Sequence, residues 1–271
     1  RLAAVYRAEH EPAAAADLYP LLVAAHRHLQ KSPETSDLAP EAARVVEVLD
    51  RPLLLTVMGE FNAGKSTFVN ALVGVDVAPM GITPTTATIN VFKYGAERGG
   101  RVVYRDDTIR HVAWEEVGPM LRALDDDEAS RVRFVEVLYP HDTLQRVNIV
   151  DTPGLNSIRP EHEAIAREFI ASADAIIWLF TCRQAGTASE REALDRIHAE
   201  GRKVLGVVNQ IDLVHDEPEA RAEVLAHLER GFADLVEALV PFSAREALFG
   251  RSDPARLARS NRPALDHALA E

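Results

Sequence analysis

Residues 59–67, with the sequence GEFNAGKST, decide the fold of this chain. They follow the apolar run LLLTVM (residues 53–58), which predicts a buried strand. The residues from Lys65 to about Leu72 predict a helix. Two glycines five residues apart, followed by Lys and Ser, are the pattern of a phosphate-binding loop. Because a strand precedes this pattern and a helix follows it, an ordinary glycine-containing turn is a poor alternative.

The chemistry of the loop follows from its residue types. Gly59 and Gly64 let backbone amides approach phosphate oxygens, and the helix that follows directs its positive end toward them. Lys65 can reach the β- and γ-phosphates, and the hydroxyl of Ser66 suits Mg²⁺. The predicted nucleotide-binding residues of this loop are Gly59, Glu60, Asn62, Ala63, Gly64, Lys65, Ser66 and Thr67.

A second motif, NIVDTPG (residues 148–154), ends another apolar run. The carboxylate of Asp151 can hold Mg²⁺ through water, and the backbone of Gly154 can contact a γ-phosphate. DTPG alone is a weak turn signal. Its position after a strand, downstream of the phosphate-binding loop, makes the pair of motifs much more specific.

Two further motifs predict which base is bound. In NQID (residues 209–212), the carboxylate of Asp212 can accept hydrogen bonds from guanine N1–H and N2–H₂. Adenine has no such pair of donors, so the motif favours GTP over ATP, although a polar loop is the simpler alternative. In FSAR (residues 242–245), the Ala244 amide is a candidate contact to the guanine carbonyl. The predicted base-binding residues are Asn209, Gln210, Asp212, Ser243, Ala244 and Arg245.

Hydrophobic periodicity predicts an α/β fold. From Leu53 onward, apolar runs alternate with helical patterns, which indicates a mostly parallel central sheet with helices on both faces. Residues 1–50 and 251–271 predict flanking helical segments, with Pro20 expected to kink or split a helix. Gly201 is expected to cap a helix. The acidic run DDDE (residues 125–128) is expected to be a solvated loop.

Composition excludes some classes of protein and favours others. The chain has 271 residues, 47% of them apolar, and a net charge of −12, which argues against general nucleic-acid binding. Its single cysteine, Cys182, allows no internal disulfide and favours a reducing compartment. No apolar run approaches the roughly 20 residues that span a bilayer. The chain begins at Arg1 rather than Met, which favours a fragment whose membrane-binding part is missing.

The four motifs, in this order, resemble those of a P-loop GTPase. The longer stretches GEFNAGKSTFVNALVG, GITPTTATINVFKYG, VEVLYPHDTLQRVNIVDTPGLNS and QAGTASEREAL resemble the GTPase domain of bacterial dynamin-like proteins. The likeness covers about residues 50–250. It implies a GTPase domain over residues 51–250 with an insert at about 95–138, between helical segments that would be parts of a neck or stalk.

The resemblance also implies roles for residues that the motifs leave open. A switch threonine that binds Mg²⁺ and positions the attacking water falls on Thr86, with Thr85 as the alternative. Thr83 and Thr88 lie too close for spacing alone to exclude them. Asn62 matches the asparagine that binds K⁺ or Na⁺ in cation-activated GTPases, but turn geometry is an equally good reason for an asparagine there. Leu155 stands where small GTPases keep a water-positioning Gln. Gln210 replaces the usual Lys of the guanine motif, so weaker affinity for the base is expected.

These features predict a Mg²⁺-dependent enzyme that hydrolyses GTP to GDP, with Lys65, Thr86 and Asn62 as catalytic residues. The resemblance implies a nucleotide-dependent homodimer through the GTPase domain, coupled to membrane remodelling. Lipid would be bound by parts outside this chain, which places the protein in the cytoplasm or peripherally at the inner face of the membrane.

The alternatives are a slow GTP-gated switch for a protein partner and a ribosome- or tRNA-associated GTPase. The acidic charge counts against the latter, and no nucleic-acid partner is expected.

Overall fold

The computed structural model describes residues 18–31, 36–78, 88–153, 160–214 and 217–269. Strands alternate with helices from Leu53 onward, as the periodicity predicts. The strands are β1 (Leu53–Gly59), β2 (Asn90–Tyr94), β3 (Gly99–Tyr104), β4 (Ile109–Ala113), β5 (Val132–Tyr139), β6 (Val147–Asp151), β7 (Ala175–Thr181), β8 (Val204–Asn209) and β9 (Ala238–Pro241).

The described helices flank and connect these strands. They are α1 (Leu18–Lys31), α2 (Ala39–Asp50), α3 (Lys65–Val73), α4 (Trp114–Ala123), α5 (Asp126–Arg131), α6 (Asp142–Arg146), α7 (Pro160–Ser172), α8 (Ala188–Ala199), α9 (Pro218–Phe232), α10 (Ala244–Phe249), α11 (Pro254–Arg259) and α12 (Arg262–Ala268). Short 3₁₀ turns lie at Ser36–Leu38 and Ile211–Val214.

All of these strands form one sheet in the order β4-β3-β5-β2-β6-β1-β7-β8-β9. The run from β6 through β1, β7 and β8 to β9 is parallel throughout. β2 runs antiparallel to β6 and parallel to β5, while β3 runs antiparallel to both β4 and β5. The predicted α/β fold, a mostly parallel sheet with helices on both faces, is therefore confirmed. Within residues 95–138, predicted as an insert, β3, β4 and most of β5 extend this sheet.

Apolar residues fill both faces of the sheet. On one face, a cluster around Met58, Trp178 and Phe180 packs against residues of α8 and α9, such as Leu194 and Phe232. A smaller cluster around Val91 and Val150 lies on the same face, because the register pairs Val150 with Thr56 two residues from Met58, and it packs against Ile165 and Ala166 of α7. On the opposite face Val57, Ile149 and Ile177 are buried, and α3 contacts β1 and β6. Burial on both faces is the reason that β1 and β7 are continuous apolar runs rather than alternating ones.

One local prediction needs correction. Residues 125–128 are not a loop, because Asp125 caps α5 by accepting a hydrogen bond from the Glu128 amide at 2.8 Å. An acidic residue at a helix N-terminus is stabilised by the helix dipole, so this acidic run starts a short helix. Pro20 lies near the start of the described part of α1, and because residues 1–17 lie outside the described residues, the kink or split expected at Pro20 stays a prediction. Residues 12–17, where a preceding helix was expected, lie outside the described residues.

The expected cap at Gly201 is confirmed. It has φ +71°, and its amide donates to the His198 carbonyl just after α8 ends.

The chain divides into two compact units, one formed by residues 1–52 with 266–271 and the other by residues 53–265. In the first unit α1 packs against α2, and His26 Nδ1 lies 3.0 Å from the Ala39 carbonyl oxygen. The second unit contains the whole sheet. None of the helices in the described ranges has both the length and the apolar content to cross a membrane.

Candidate nucleotide site

The predicted motifs meet at the carboxyl ends of neighbouring parallel strands. The phosphate-binding loop follows β1, Asp151 ends β6, and Asn209 ends β8. The register aligns Val57 of β1 with Asp151 of β6. Ligand sites of open parallel sheets lie at this edge, in the crevice outside the strand ends.

The two glycines of the loop adopt backbone conformations that other residues rarely reach. Gly59 has φ +146° and Gly64, which caps α3, has φ +86°. A Cβ at position 64 would lie 2.7 Å from Asn209 Nδ2, and a Cβ at position 59 would lie 2.6 Å from the Leu179 carbonyl oxygen. The fold therefore requires glycine at both positions for backbone reasons, before any nucleotide is considered.

Lys65 closes the loop on itself. Its Nζ donates to the carbonyl oxygens of Gly59 at 3.1 Å and Glu60 at 2.9 Å. Burial lowers the pKa of Lys65, while the carboxylates of Asp151 and Glu60 oppose that shift. The ammonium group is thus held by backbone acceptors that a phosphate can replace.

Ser66 and Asp151 form a paired oxygen site beside Lys65. Ser66 Oγ donates to Asp151 Oδ2 at 3.1 Å, and Asp151 is only 7% exposed. Burial raises the pKa of Asp151, although Lys65 and the Ser66 hydrogen bond oppose the rise. Asp151 Oδ1 is buried and has no hydrogen-bond partner among the residues that the structure describes. A buried carboxylate oxygen that lacks a partner, next to a hydroxyl, fits the hard oxygen ligands that Mg²⁺ prefers.

Asn209 connects the base-recognition loop to the phosphate-binding loop. Its Nδ2 donates to the Ala63 carbonyl at 2.8 Å, and its Oδ1 accepts the Ala244 amide at 3.0 Å. The side chain is 2% exposed. Both polar ends of Asn209 are therefore engaged within the protein, and the Ala244 amide donates to Asn209 here rather than pointing at a free base site.

Gln210 makes a second connection between the same loops. Its Nε2 donates to the Asn62 carbonyl at 2.8 Å. Both residues have positive φ, +66° for Gln210 and +64° for Asn62. Asparagine tolerates this conformation well. The backbone at position 62 is thus a sufficient reason for asparagine without any cation.

The base end of the site lies around Asp212 and Ser243. Ser243 Oγ donates to Asp212 Oδ1 at 2.6 Å and accepts the Glu246 amide, so it also caps α10. Asp212 is half-buried and Arg245 is exposed. Ser243 thus orients the carboxylate predicted to accept the guanine donors, and the other carboxylate oxygen remains available for them.

Several residues named from the sequence lie outside the described residues. Thr83, Thr85 and Thr86 fall in residues 79–87, and Gly154 and Leu155 fall in residues 154–159. Their roles remain predictions, as do the assigned roles of the described site residues.

Sequence reasoning missed the contact between the phosphate-binding loop and the start of α8. Glu60 Oε1 accepts hydrogen bonds from Thr187 Oγ1 at 2.9 Å and Ser189 Oγ at 2.5 Å. Thr187 and Glu190 form a capping box at the start of α8. The local sequence TASE (residues 187–190) is a recognisable capping signal. No local signal pairs it with Glu60.

Cys182 lies next to the base-recognition loop. Its Sγ lies 3.0 Å from the Gln210 carbonyl oxygen, and its amide donates to the Asn209 carbonyl. Burial raises the pKa of the thiol, and Asp212 adds to the rise. The cysteine is therefore a buried thiol that packs under the base-recognition loop.

Comparison with known proteins decides the family. The model of the dynamin family matches residues 55–211, which is more than half of the chain. The chain belongs to the dynamin family. Its second unit, with the phosphate-binding loop on β1 and the guanine motif on β8, is therefore the GTPase domain of a dynamin-family protein, as the sequence resemblance predicted.

Curated relatives agree with this assignment. Dynamin-like protein 2 of Campylobacter jejuni is 27% identical over 212 residues, which cover 76% of this chain and 33% of that protein. The bacterial dynamin-like protein of Nostoc punctiforme is 30% identical over 175 residues, covering 60% of this chain and 25% of that protein.

Among solved structures, a chain of an oligomerised bacterial dynamin pair matches the fold with a TM-score of 0.71 at 19% identity, over 93% of this chain and 50% of that chain. LeoA, a bacterial dynamin GTPase, matches with a TM-score of 0.57 at 16% identity, over 94% of this chain and 42% of that chain. This chain thus spans half or less of each of these proteins.

Proposed function

We propose that this protein hydrolyses GTP in a Mg²⁺-dependent reaction that is accelerated when two GTPase domains pair. The observation that carries the proposal is the convergence of Lys65, Ser66 and Asp151 at one edge of the sheet, in a chain of the dynamin family. Asp212, oriented by Ser243, selects guanine.

Each residue has a defined task in this reaction. Lys65 exchanges its bonds to the Gly59 and Glu60 carbonyls for bonds to the β- and γ-phosphates, which stabilises the charge of the leaving group. Ser66 and Asp151 would hold Mg²⁺. Among the described residues Asp151 Oδ1 has no hydrogen-bond partner, so this oxygen can accept a hydrogen bond from a water molecule bound to the ion. Mg²⁺ neutralises charge on the phosphates when bound. Thr86 would position the attacking water.

Self-association and membrane action form the finer part of the proposal. The solved bacterial dynamin pair that shares this fold is an oligomer to which long-range sensing and tethering of membranes are ascribed. By likeness, this chain would pair through its GTPase domain at the cytoplasmic side of a membrane. Residues 1–50 and 251–271 would belong to a helical stalk, and lipid would be bound outside this chain.

The test is GTP hydrolysis per molecule as a function of protein concentration, in potassium buffer with Mg²⁺. Lys65→Ala, which removes the phosphate-binding ammonium, provides the background. We expect the rate per molecule to rise with concentration. A slow and constant rate above the background would contradict the pairing and favour a GTP-gated switch that waits for a protein partner.

A monovalent cation at Asn62 is a separate part of the proposal. Because the positive φ at this position explains asparagine by itself, the side chain must be tested apart from the backbone. Asn62→Gly keeps the left-handed conformation accessible but removes the side-chain oxygen, whereas Asn62→Ala disturbs both. We expect hydrolysis by wild type to be faster in K⁺ than in choline, and expect Asn62→Gly to lose that difference. Full K⁺ stimulation of Asn62→Gly would exclude the side chain as a ligand.

A further inference from the structure

Glu60 joins the phosphate-binding loop to α8, the helix that follows β7 in the chain. One carboxylate oxygen, Oε1, accepts both the Thr187 hydroxyl at 2.9 Å and the Ser189 hydroxyl at 2.5 Å. The two hydroxyl oxygens also lie 3.0 Å from each other. This contact links residues that are 127 and 129 positions apart.

The start of α8 is well suited to hold a carboxylate in place. Thr187 caps this 12-residue helix by accepting the Glu190 amide. In turn, the Glu190 carboxylate accepts the Gly186 amide at 2.8 Å and the Thr187 amide at 3.0 Å. The hydroxyls that contact Glu60 are therefore carried by an ordered helical turn. The positive end of the helix also offsets the negative charge of Glu60.

The backbone of Glu60 controls the loop at the same time. Its carbonyl oxygen accepts Lys65 Nζ at 2.9 Å and the Ala63 amide at 3.3 Å, so the turn that presents the loop amides begins at this residue. The side chain is anchored on α8 while the main chain shapes the loop. A carboxylate so close to bound phosphates would repel them if it were free to turn toward them. Its bonds to Thr187 and Ser189 hold it on α8.

We propose that Glu60 is a positioning residue, whose carboxylate ties the phosphate-binding loop to the start of α8 and so holds the loop ready for the nucleotide phosphates. The inference rests on the proposed function, in that it concerns the same nucleotide site. The sequence motif alone places Glu60 among the nucleotide-binding residues. The structure instead directs its side chain to Thr187 and Ser189. The loop is then prearranged before binding, which lowers the ordering cost of taking up nucleotide.

The test measures nucleotide affinity separately from turnover. Glu60→Ala removes the anchor, whereas Glu60→Gln keeps an oxygen that can accept both hydroxyls. Ser189→Ala removes one bond and leaves the Thr187 cap intact. We expect Glu60→Ala to weaken GDP and GTP binding by the same factor of about ten. Ser189→Ala should weaken the binding of both nucleotides about threefold, and Glu60→Gln should bind them with an affinity nearer to that of wild type. Glu192→Ala, an exposed change on α8, is the control.

The double variant shows whether Glu60 and Ser189 affect nucleotide binding through one shared contact or independently. The double variant Glu60→Ala/Ser189→Ala is expected to bind no more weakly than Glu60→Ala alone, because the Ser189 bond is already lost. If the variants lowered only the unfolding temperature and left the GDP dissociation constant unchanged, a positioning role would be overturned. Additive losses in the double variant would also overturn it. Wild type that bound GDP but did not hydrolyse GTP would refute the proposed function and leave this test intact.

Discussion

At the scale of single residues, Gln210 illustrates how this chain departs from the usual guanine motif. A lysine in this position packs its stem over the base in related GTPases. Here a neutral amide reaches the Asn62 carbonyl at 2.8 Å and ties the base-recognition loop to the phosphate-binding loop. The substitution thus keeps a connection between the loops while giving up charge and stem length.

We predict opposite effects for two changes at Gln210. Gln210→Ala should weaken GDP binding about two- to tenfold, the range of one lost neutral hydrogen bond. Gln210→Lys should bind GDP at least as tightly as wild type, because an ammonium group can donate to the same carbonyl and the longer stem covers more of the base. Calorimetric titration with GDP measures both. Gln145→Ala, an exposed change on α6, is the matched control. Equal affinities for Gln210→Ala and wild type would contradict the prediction.

At the scale of elements, the start of α8 carries a buried acid whose ionisation is costly. Glu190 is 2% exposed, and burial raises its pKa above the ordinary glutamate value, although the Thr187 and Gly186 amides partly oppose the rise. Between the ordinary value and the raised one, the folded state binds more protons than the unfolded state. The contribution of Glu190 to stability is therefore present at low pH and is lost as pH rises through the raised pKa.

This linkage predicts a pH-dependent difference between wild type and Glu190→Gln. The amide cannot ionise, and its oxygen can still accept the Gly186 and Thr187 amides. The measured quantity is the free energy of unfolding of wild type minus that of the variant. This difference should fall as pH rises from about 4.3, the ordinary glutamate pKa. Urea unfolding at a series of pH values measures it, with the exposed Glu192→Gln as the control. A constant difference across the series would show that burial does not raise this pKa.

At the scale of the whole molecule, every described site residue lies in the unit of residues 53–265. That unit also contains the complete described sheet and both apolar clusters. A chain from Leu53 to Glu271 should therefore fold cooperatively and bind GDP within about threefold of the full chain, since a compact domain has its own core. Calorimetry and urea unfolding would check this. Loss of GDP binding would mean that residues 1–52 shape the nucleotide site.

Local features of this chain were predicted from the sequence, whereas contacts between distant residues were not. The sequence alone determined the strand and helix that surround the phosphate-binding loop, the position of Asp151 at a strand end, and the guanine motif. These are readable because each depends on residue types at fixed short spacing. The edge strand β4 and the helix α5 were missed, since both are short and polar and lack a distinctive period.

The tertiary structure alone decided how the site is held together. Glu60 meets Thr187 across 127 positions and Asn209 meets Ala63 across 146 positions. These pairs form because the strand order β6-β1-β7-β8 sets the loops after β1, β7 and β8 side by side. Spacing along the chain cannot reveal such pairs, because strand order depends on how the whole sheet buries its two apolar faces. The sequence determined which chemistry this chain carries, and the packing of the sheet decided which residues hold that chemistry in place.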